Sequence, residues 1–262
     1  MPIIYRHIIL SLIKESLKLS DVNYKKSLYE DKILTKKVKP FTFSLILPKG
    51  SKAKKEHFYL NDNLKVEDYV FYPPEYSDGR NQINVKPLQL LVSSIDYEFI
   101  THLYNGLIEM KKFKFYQDIE IEIGRIIPIL DKPITSNKVV FKTYSPILIE
   151  NKDGKPVLRD NTFPYEEFNR ELNIIESKIL KDIRGNALKE EIKFEPIPGK
   201  WKKQVVKHTL GKIISNLGKP YATFTCFEGY FTLSGDIDDL KTLYNIGLGL
   251  RTGQGFGMVE VV

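Results

Sequence analysis

Apolar periodicity predicts the same alternation of strands and helices twice along this chain, and this repetition limits the folds open to it. In the first half, two helices are followed by three strands, a helix and an extended strand, over residues 3–18, 20–29, 40–48, 56–60, 87–95, 96–109 and 112–130. We expect the strand over residues 56–60 to be the hairpin partner of the strand over residues 40–48. Pro2 precedes the first helix, and Asp21 and Asp96 stand where capping residues are needed.

The second half repeats this order, with a strand in place of the first of the two helices. A strand, an amphipathic helix, three strands, a short helix and a final strand are predicted over residues 138–150, 164–180, 190–198, 200–215, 220–235, 236–246 and 256–262. Strands that lead into helices and return to strands in two halves are typical of paired βαββαβ domains. The sequence therefore predicts an α+β protein of two tandem ferredoxin-like domains, residues 1–131 and 132–262, joined near residues 130–137.

Length and composition agree with two globular domains. The chain has 262 residues, enough for two domains of ordinary size, and 42% of them are hydrophobic. No apolar run reaches the roughly 20 residues that cross a bilayer, and charged residues interrupt the apolar N-terminus. Cys226 is the single cysteine, which excludes a disulfide within the chain. These features predict a cytoplasmic protein without a membrane segment.

An excess of basic residues points to a polyanionic partner. The formal net charge is +7 and the pI is about 9.1. The cations are concentrated in residues 36–39, 49–55, 111–114 and 200–208. The chain also has 15 Tyr and 15 Phe, and cations with aromatic rings are typical of proteins that bind single-stranded RNA. A solvated surface and an aromatic core explain any one of these segments taken alone.

The last of these segments is the strongest candidate for RNA contact. It alternates polar and apolar residues, which would place several cations on one face of a strand, and it contains the only tryptophan of the chain. The candidate RNA-binding residues here are Lys200, Trp201, Lys202, Lys203, Lys207 and His208.

Five glycines fall within eleven residues near the C-terminus: Gly247, Gly249, Gly253, Gly255 and Gly257. They follow a predicted helix and precede a strand, whereas a dinucleotide-binding fingerprint needs the opposite order. No GxxxxGK[ST] motif occurs, which excludes a P-loop. A turn needs only one or two glycines. We therefore expect residues 247–257 to form an exposed, mobile loop whose backbone N–H groups, with Arg251 and Thr252, follow an RNA phosphate backbone.

The C-terminal stretch "GLGLRTGQGFGMVEV" resembles the glycine-rich signature of the CRISPR-associated repeat-processing endoribonucleases, which belong to the RAMP superfamily of paired ferredoxin-like folds. Three further stretches resemble the family's first helix, the strand after it and the opening strand of the second domain: "PIIYRHIILSLIKESL", "KPFTFSLILP" and "FKTYSPILI". The resemblance implies binding of CRISPR precursor RNA and cleavage within each repeat without a metal or other cofactor. The ribose 2′-OH attacks the adjacent phosphate, which leaves a 5′-OH and a 2′,3′-cyclic phosphate.

Two features depart from the family pattern. Members usually begin with a strand ahead of the segment that matches Pro2, and this chain starts at that point. Either the start is assigned too late or another segment fills that edge of the sheet, because unpaired ladder groups are costly. Many members also have a histidine shortly before the strand that carries their lysine, and Tyr29 stands at the matching position here.

Four residues are candidates for the chemistry. Lys39 matches the family's lysine and is the first choice for stabilising the transition-state phosphate. His7 and Lys14 lie seven residues apart and share a face of the first helix. Histidine titrates near neutral pH, so His7 competes with Tyr29 for the missing histidine's role, and Tyr29 can orient groups or donate a proton. A partly buried structural histidine is an equally good interpretation of His7.

Three functions remain open from the sequence. The first is a repeat-specific endoribonuclease, a monomer or homodimer that could keep its product within an interference complex beside other CRISPR subunits. The second is a related RNA-binding subunit that does not cleave, which the tyrosine at position 29 supports. An unrelated basic structural protein is the third, and the glycine-rich end argues against it.

Overall fold

The computed structural model describes residues 1–30, 38–61, 64–77, 83–116, 119–209 and 221–262. Within them lie the helices α1 (Arg6–Ser20), α2 (Val22–Tyr29), α3 (Tyr97–Met110), α4 (Tyr165–Arg184) and α5 (Ile237–Ile246). The strands are β1 (Phe41–Ile46), β2 (Lys52–Asn61), β3 (Leu64–Tyr72), β4 (Glu75–Ser77), β5 (Ile83–Val85), β6 (Gln89–Ser94), β7 (Lys112–Tyr116), β8 (Ile119–Glu122), β9 (Lys138–Thr143), β10 (Lys193–His208), β11 (Ala222–Ser234) and β12 (Val259–Val261). None of these helices is both long and apolar enough to cross a membrane.

The second half of the chain forms a four-stranded antiparallel sheet that packs against two helices. Its elements follow one another as β9, α4, β10, β11, α5 and β12, and the sheet order is β10, β11, β9, β12. Leu172 of α4 and Leu240 of α5 pack with Phe194 and Phe231 of the sheet in one core. This is the βαββαβ arrangement that the sequence predicts.

The core of the first half consists of two strands and two helices. β1 pairs antiparallel with β6, and Phe41 lies opposite Ser94. Ile13 of α1 and Phe99 of α3 are fully buried and belong to the same core as Phe41. The Asp96 side chain accepts hydrogen bonds from the first N–H groups of α3, as its position in the sequence predicts. Within the described residues, the sheet that contains β1 consists of β1 and β6.

The hairpin predicted at residues 40–48 and 56–60 is wrong. β2 pairs with its neighbour β3, and β1 pairs with the distant β6. The reason is burial: the first four residues of β1 are all buried, whereas β2 is mostly exposed and carries three lysines. A strand buried on both faces needs an apolar partner, which "QLLVSS" in β6 supplies.

Two other predicted strands have different limits. Residues 112–116 and 119–122 pair antiparallel as β7 and β8, and residues 123–130 have no regular structure, so the prediction of one strand here is wrong. The strands predicted over residues 190–198 and 200–215 form the single strand β10, which is irregular between Pro196 and Trp201. Residues 210–215 of that prediction lie outside the described residues. The N-terminal residues run beside β3, where Ile3 N donates to Tyr69 O at 2.9 Å.

The glycine-rich loop, residues 247–257, is packed between the two halves, and the expectation that it is exposed is wrong. Four of its five glycines are buried: Gly247, Gly249, Gly255 and Gly257. Thr42 Oγ1 of β1 donates to Phe256 O of the loop at 2.9 Å, and Ser44 Oγ donates to Tyr144 O at 2.7 Å. A missing Cβ permits close packing against protein as readily as against RNA, so the glycine count alone could not distinguish the two.

Gly255 is the tightest contact of the loop with the first half. Its φ is +83°, and a Cβ at this position would lie 2.6 Å from Cε2 of Phe43. Both the backbone conformation and the packing therefore exclude other residues.

We predict that Gly255→Ala destabilises the protein by about 3 to 5 kcal/mol, because it combines backbone strain with overpacking. Gly154→Ala is the matched control: Gly154 has φ +71° and nothing lies within 4 Å of its Cβ position. We expect this control to lose only about 1 to 2 kcal/mol, the cost of the backbone conformation. Urea unfolding measures both, and equal losses would contradict the packing argument.

Candidate active site and RNA interface

Three of the four candidate catalytic residues meet at one place, the tyrosine–lysine cluster of Lys14, Tyr29 and Lys39. α1 carries Lys14, Tyr29 ends α2, and Lys39 lies just before β1. The Lys14 Nζ atom is 4.7 Å from the centre of the Tyr29 ring, and the Lys39 Nζ atom is 5.4 Å from it. Two ammonium groups therefore contact one aromatic ring, which attracts cations through its π face.

The cluster gathers positive charge. Burial lowers the pKa of Lys39, and the nearby charge of Lys14 lowers it further. The pKa of Lys14 is lowered by burial and then by Lys25. No carboxylate of the described residues raises either pKa, although Lys25 itself pairs with Glu30. Partly desolvated cations that lower one another's pKa favour the binding of an anion such as a phosphate.

Lys39 is held at the end of α2. Its Nζ donates to the Leu28 backbone carbonyl at 2.6 Å, in the last turn of that helix, where the helix dipole favours a cation. The Tyr29 hydroxyl is buried and has no hydrogen-bond partner among the described residues, and burial raises its pKa strongly. The ring of Tyr29, rather than its hydroxyl, is thus the part that contacts the two lysines. Lys36 and Lys37, which belong to the same basic run as Lys39, lie outside the described residues.

His7 lies away from this cluster, in a second group formed with Arg6, His208 and Arg251, the arginine–histidine cluster. Seven residues of helix separate His7 from Lys14 by about 10 Å along the axis. Burial lowers the pKa of His7 to about 4. Burial and then the neighbours Arg6, His7 and Arg251 lower the pKa of His208 to about 3. Both histidines are therefore neutral near pH 7.

His208 is buried, so the expectation that it lies on an RNA-binding surface is wrong. It lies beside Phe224 and Phe256, and its ring nitrogens make no hydrogen bond of normal geometry to the described residues. Gln254 approaches the ring closely enough to affect its pKa without completing such a bond. Thr252 is also buried. It begins a 3-10 turn inside the glycine-rich loop, which is packed between the two halves.

The two arginines of the second cluster hold the glycine-rich loop. Arg6 is buried, donates from Nε to Gly255 O at 3.0 Å and lies 4.9 Å above the Phe256 ring. Arg251 is half-buried, has the left-handed φ of +62° and lies 4.8 Å above the Phe224 ring. The sequence prediction missed Arg6. A single cation inside the apolar stretch "PIIYRHII" was the signal that could have identified it.

The cations of β10 contact other parts of the chain. Lys202 forms an ion pair of 3.3 Å with Glu228, and Lys203 Nζ donates to Arg159 O at 3.0 Å. Lys200 is exposed, and its Nζ lies over the ring of Tyr230. Ion pairs at the surface are weak, so Lys202 can exchange its partner for a phosphate at little cost.

Trp201 and Lys207 have structural contacts. The Trp201 ring is stacked on Phe227, with centroids 5.7 Å apart, and meets the edge of Phe163 at 5.5 Å. Lys207 Nζ lies 2.6 Å from Oδ2 of the buried Asp68, which connects β10 to β3. Because of these contacts, the side chains of Trp201 and Lys207 are half-buried, and less of their surface is accessible to RNA than the sequence predicts.

Glu176 of α4 lies directly beneath the glycine-rich loop. It is fully buried, and its Oε1 accepts a hydrogen bond from Gly249 N at 2.6 Å, while Oε2 has no partner among the described residues. Burial raises the pKa of Glu176 to about 8 in spite of that hydrogen bond. The neutral carboxyl is therefore the form that the fold favours.

The Cys226 thiol is also buried near the loop, and burial raises its pKa to about 12. It packs with Phe256 in a small core. Among the residues that the structure describes, no three His, Cys, Asp or Glu side chains are grouped as a metal site would need.

Comparison with known proteins identifies the family. The family model described as CRISPR associated protein Cas6, C-terminal, matches residues 129–261, about half of the chain. No curated protein sequence matches. Several solved structures resemble the whole chain. A structure described as a Cas6-related gene from Pyrococcus furiosus is 20% identical with a TM-score of 0.68, covering 100% of this chain and 92% of that chain.

An RAMP protein described as binding different RNA substrates is 21% identical with a TM-score of 0.65, and a CRISPR associated protein Cas6 is 24% identical with a TM-score of 0.62. Both alignments cover 100% of this chain and 93% of the other. These likenesses confirm the predicted α+β fold of tandem ferredoxin-like domains.

Glu176 generates a prediction for stability against pH. Its pKa is about 8 in the folded protein and ordinary, near 4.5, in the unfolded chain, so the folded state holds the proton more tightly. Stability from this group is then complete below about pH 4.5 and falls as the pH rises to about 8. We predict that Glu176→Gln, which cannot ionise, removes this fall and gains several kcal/mol relative to the wild type between pH 5 and pH 8.

Urea unfolding at the two pH values measures the effect. The matched control is Glu166→Gln, an exposed glutamate on the same helix, for which we expect the pH dependence of the wild type. Parallel pH profiles for Glu176→Gln and the wild type would contradict the raised pKa.

Proposed function

Because the chain belongs to the CRISPR-associated Cas6 family, we propose that it binds CRISPR repeat RNA and cleaves precursor transcripts within each repeat without a metal ion. The observation that carries the proposal is the tyrosine–lysine cluster. The cluster presents two ammonium groups of lowered pKa beside one aromatic ring. One of the two is Lys39, which stands at the family's lysine position. The similar structures include an RAMP protein described as binding different RNA substrates, which supports the RNA partner.

The proposed reaction is an internal transesterification. The ribose 2′-oxygen attacks the adjacent phosphorus, its proton passes to a base, and the bond from phosphorus to the 5′-oxygen breaks as that oxygen takes up a proton. Lys39 as an ammonium stabilises the negative charge that develops on the phosphorane. The lowered pKa of Lys14 makes its neutral amine more available as a base at neutral pH. Tyr29 orients the two lysines through its ring.

The RNA chain is proposed to extend from this cluster across the second half. Lys200, Lys202 and Lys203 of β10 are the candidates for phosphate contact, since their present partners are weak surface contacts. Arg251 is half-buried at the edge of the glycine-rich loop and can reach a phosphate from there. The proposal includes retention of the product beside other CRISPR subunits and a monomeric or homodimeric state.

One observation favours a second candidate function, an RNA-binding subunit that does not cleave. Tyr29 occupies the place of the family's histidine with a buried hydroxyl, and His7, with its pKa of about 4, belongs to the other cluster. Among the described residues, no histidine therefore contributes to the tyrosine–lysine cluster. A protein of this kind would hold repeat RNA through the same cations and leave it intact.

Cleavage of labelled repeat RNA in EDTA decides between the two. We predict cleavage at one site, and loss of cleavage with retained binding when the nucleotide that carries the attacking oxygen is 2′-deoxy. Intact RNA after binding would favour the non-cleaving function, and cleavage of the deoxy substrate would refute the mechanism.

For the residues, we predict that Lys39→Ala lowers the single-turnover cleavage rate by about 100- to 1,000-fold while changing the RNA Kd much less, because the charge matters most in the transition state. Lys14→Ala should also lower the rate. Lys18→Ala is the matched control, since Lys18 is an exposed lysine on the same helix. A rate for Lys39→Ala equal to that of the control would exclude Lys39 from the chemistry.

A further inference from the structure

The glycine-rich loop touches the candidate catalytic lysine. A Cβ placed on Gly253 would lie 3.0 Å from Lys39 Cβ, 3.3 Å from Lys39 Cγ and 3.7 Å from Cζ of Phe41. The Lys39 side chain therefore leaves the backbone against Gly253 and ends at Tyr29 and the Leu28 carbonyl. The second half of the chain thus supplies one side of the space that the lysine occupies.

The loop has little freedom to retreat from Lys39. Gly255 N donates to Thr252 O at 2.9 Å, which closes the 3-10 turn that contains Gly253. Just after this turn the first half binds the loop directly: Arg6 Nε donates to Gly255 O and Thr42 Oγ1 donates to Phe256 O. A side chain added at position 253 would press on Lys39 Cβ and Cγ, and because the loop is held by these hydrogen bonds, Lys39 has to shift by a few tenths of an ångström.

We propose that Gly253 is a positioning residue: by lacking a side chain, it keeps Lys39 in place between the glycine-rich loop and the Tyr29 ring. The consequence for cleavage rests on the proposed function, whereas the position of the lysine does not. The requirement at Gly253 is for space and not for a special backbone conformation, because Gly253 is outside the left-handed region that Gly255 and Gly257 occupy. Alanine can therefore be introduced here without backbone strain.

The first experiment compares Gly253→Ala with the matched control Gly124→Ala. Gly124 also lies outside the left-handed region, and nothing lies within 4 Å of its Cβ position. We expect Gly253→Ala to lower the single-turnover cleavage rate by roughly 10- to 100-fold, with less than about a twofold change in the RNA Kd, because small displacements of a catalytic group are costly. Gly253→Val should lower the rate further, and Gly124→Ala should behave like the wild type.

The proposal requires that Gly253→Ala lowers the cleavage rate through Lys39, and a double variant tests this. In a Lys39→Ala background the side chain beyond Cβ is gone, so adding Gly253→Ala should change the remaining rate little. If Gly253→Ala lowers the rate by the same factor with and without Lys39, it acts by another route and the proposal is overturned.

A second readout follows the lysine itself and does not depend on cleavage. Lysines are ¹³C-methylated reductively, and the Lys39 resonance is identified by its loss in Lys39→Arg. Burial lowers the pKa of Lys39 in the wild type, so displacement toward solvent in Gly253→Ala should raise that pKa, while the exposed Lys18 stays unchanged as internal reference. The fall of the cleavage rate at alkaline pH should move to higher pH together with the pKa of Lys39.

These outcomes separate the two proposals. If the wild type binds repeat RNA but does not cleave it, the endonuclease proposal fails, and a shifted Lys39 resonance still supports the positioning role. If the wild type cleaves, and Gly253→Ala is folded with an unchanged rate and an unchanged Lys39 resonance, Gly253 does not position Lys39.

Discussion

The packing of the glycine-rich loop against β1 is the contact on which the rest of this structure depends. Gly255 leaves the space that the Phe43 ring fills, and the Thr42 hydroxyl donates to the loop backbone at Phe256. β1 is buried between its own helices and the second half, so the strand that follows Lys39 is fixed from both sides. The candidate site is therefore a product of both halves, although its three side chains all come from the first.

Charge is distributed around this loop in a way that costs stability. Lys39 lies against the loop at Gly253 and Arg6 binds it at Gly255 O, and in each cluster the neighbouring cations lower the pKa of a member. A protein selected for stability alone would place carboxylates there. Partly desolvated cations that lower the pKa of a neighbour are typical of a surface that binds a polyanion.

Periodicity and capping residues predicted those parts of the fold that depend on residues close together in the sequence. Apart from the two predicted strands that form the single strand β10, the second half has the predicted order of elements, and Asp96 caps α3 as expected, because periodicity and capping involve neighbouring residues. The partner of β1 was not predictable, since it lies about 50 residues away and a nearer strand fits the same pattern. Lys14, Tyr29 and Lys39 were chosen from the sequence, but their shared ring contact and the separation of His7 depend on packing.

The glycines show why a motif can identify a family and still mislead about mechanism. Absence of a Cβ allows any close approach, and the sequence does not tell whether the approaching group is a phosphate or a phenylalanine ring. Here Phe43 and Lys39 approach the loop from one side, and the Glu176 carboxyl binds Gly249 from another. On the proposed function, an RNA phosphate beside Lys39 or the half-buried Arg251 would offset the repulsion that lowers the pKa of Lys39 and of His208. On that proposal, RNA binding and the packing of the loop against β1 would be linked equilibria, each of which stabilises the other.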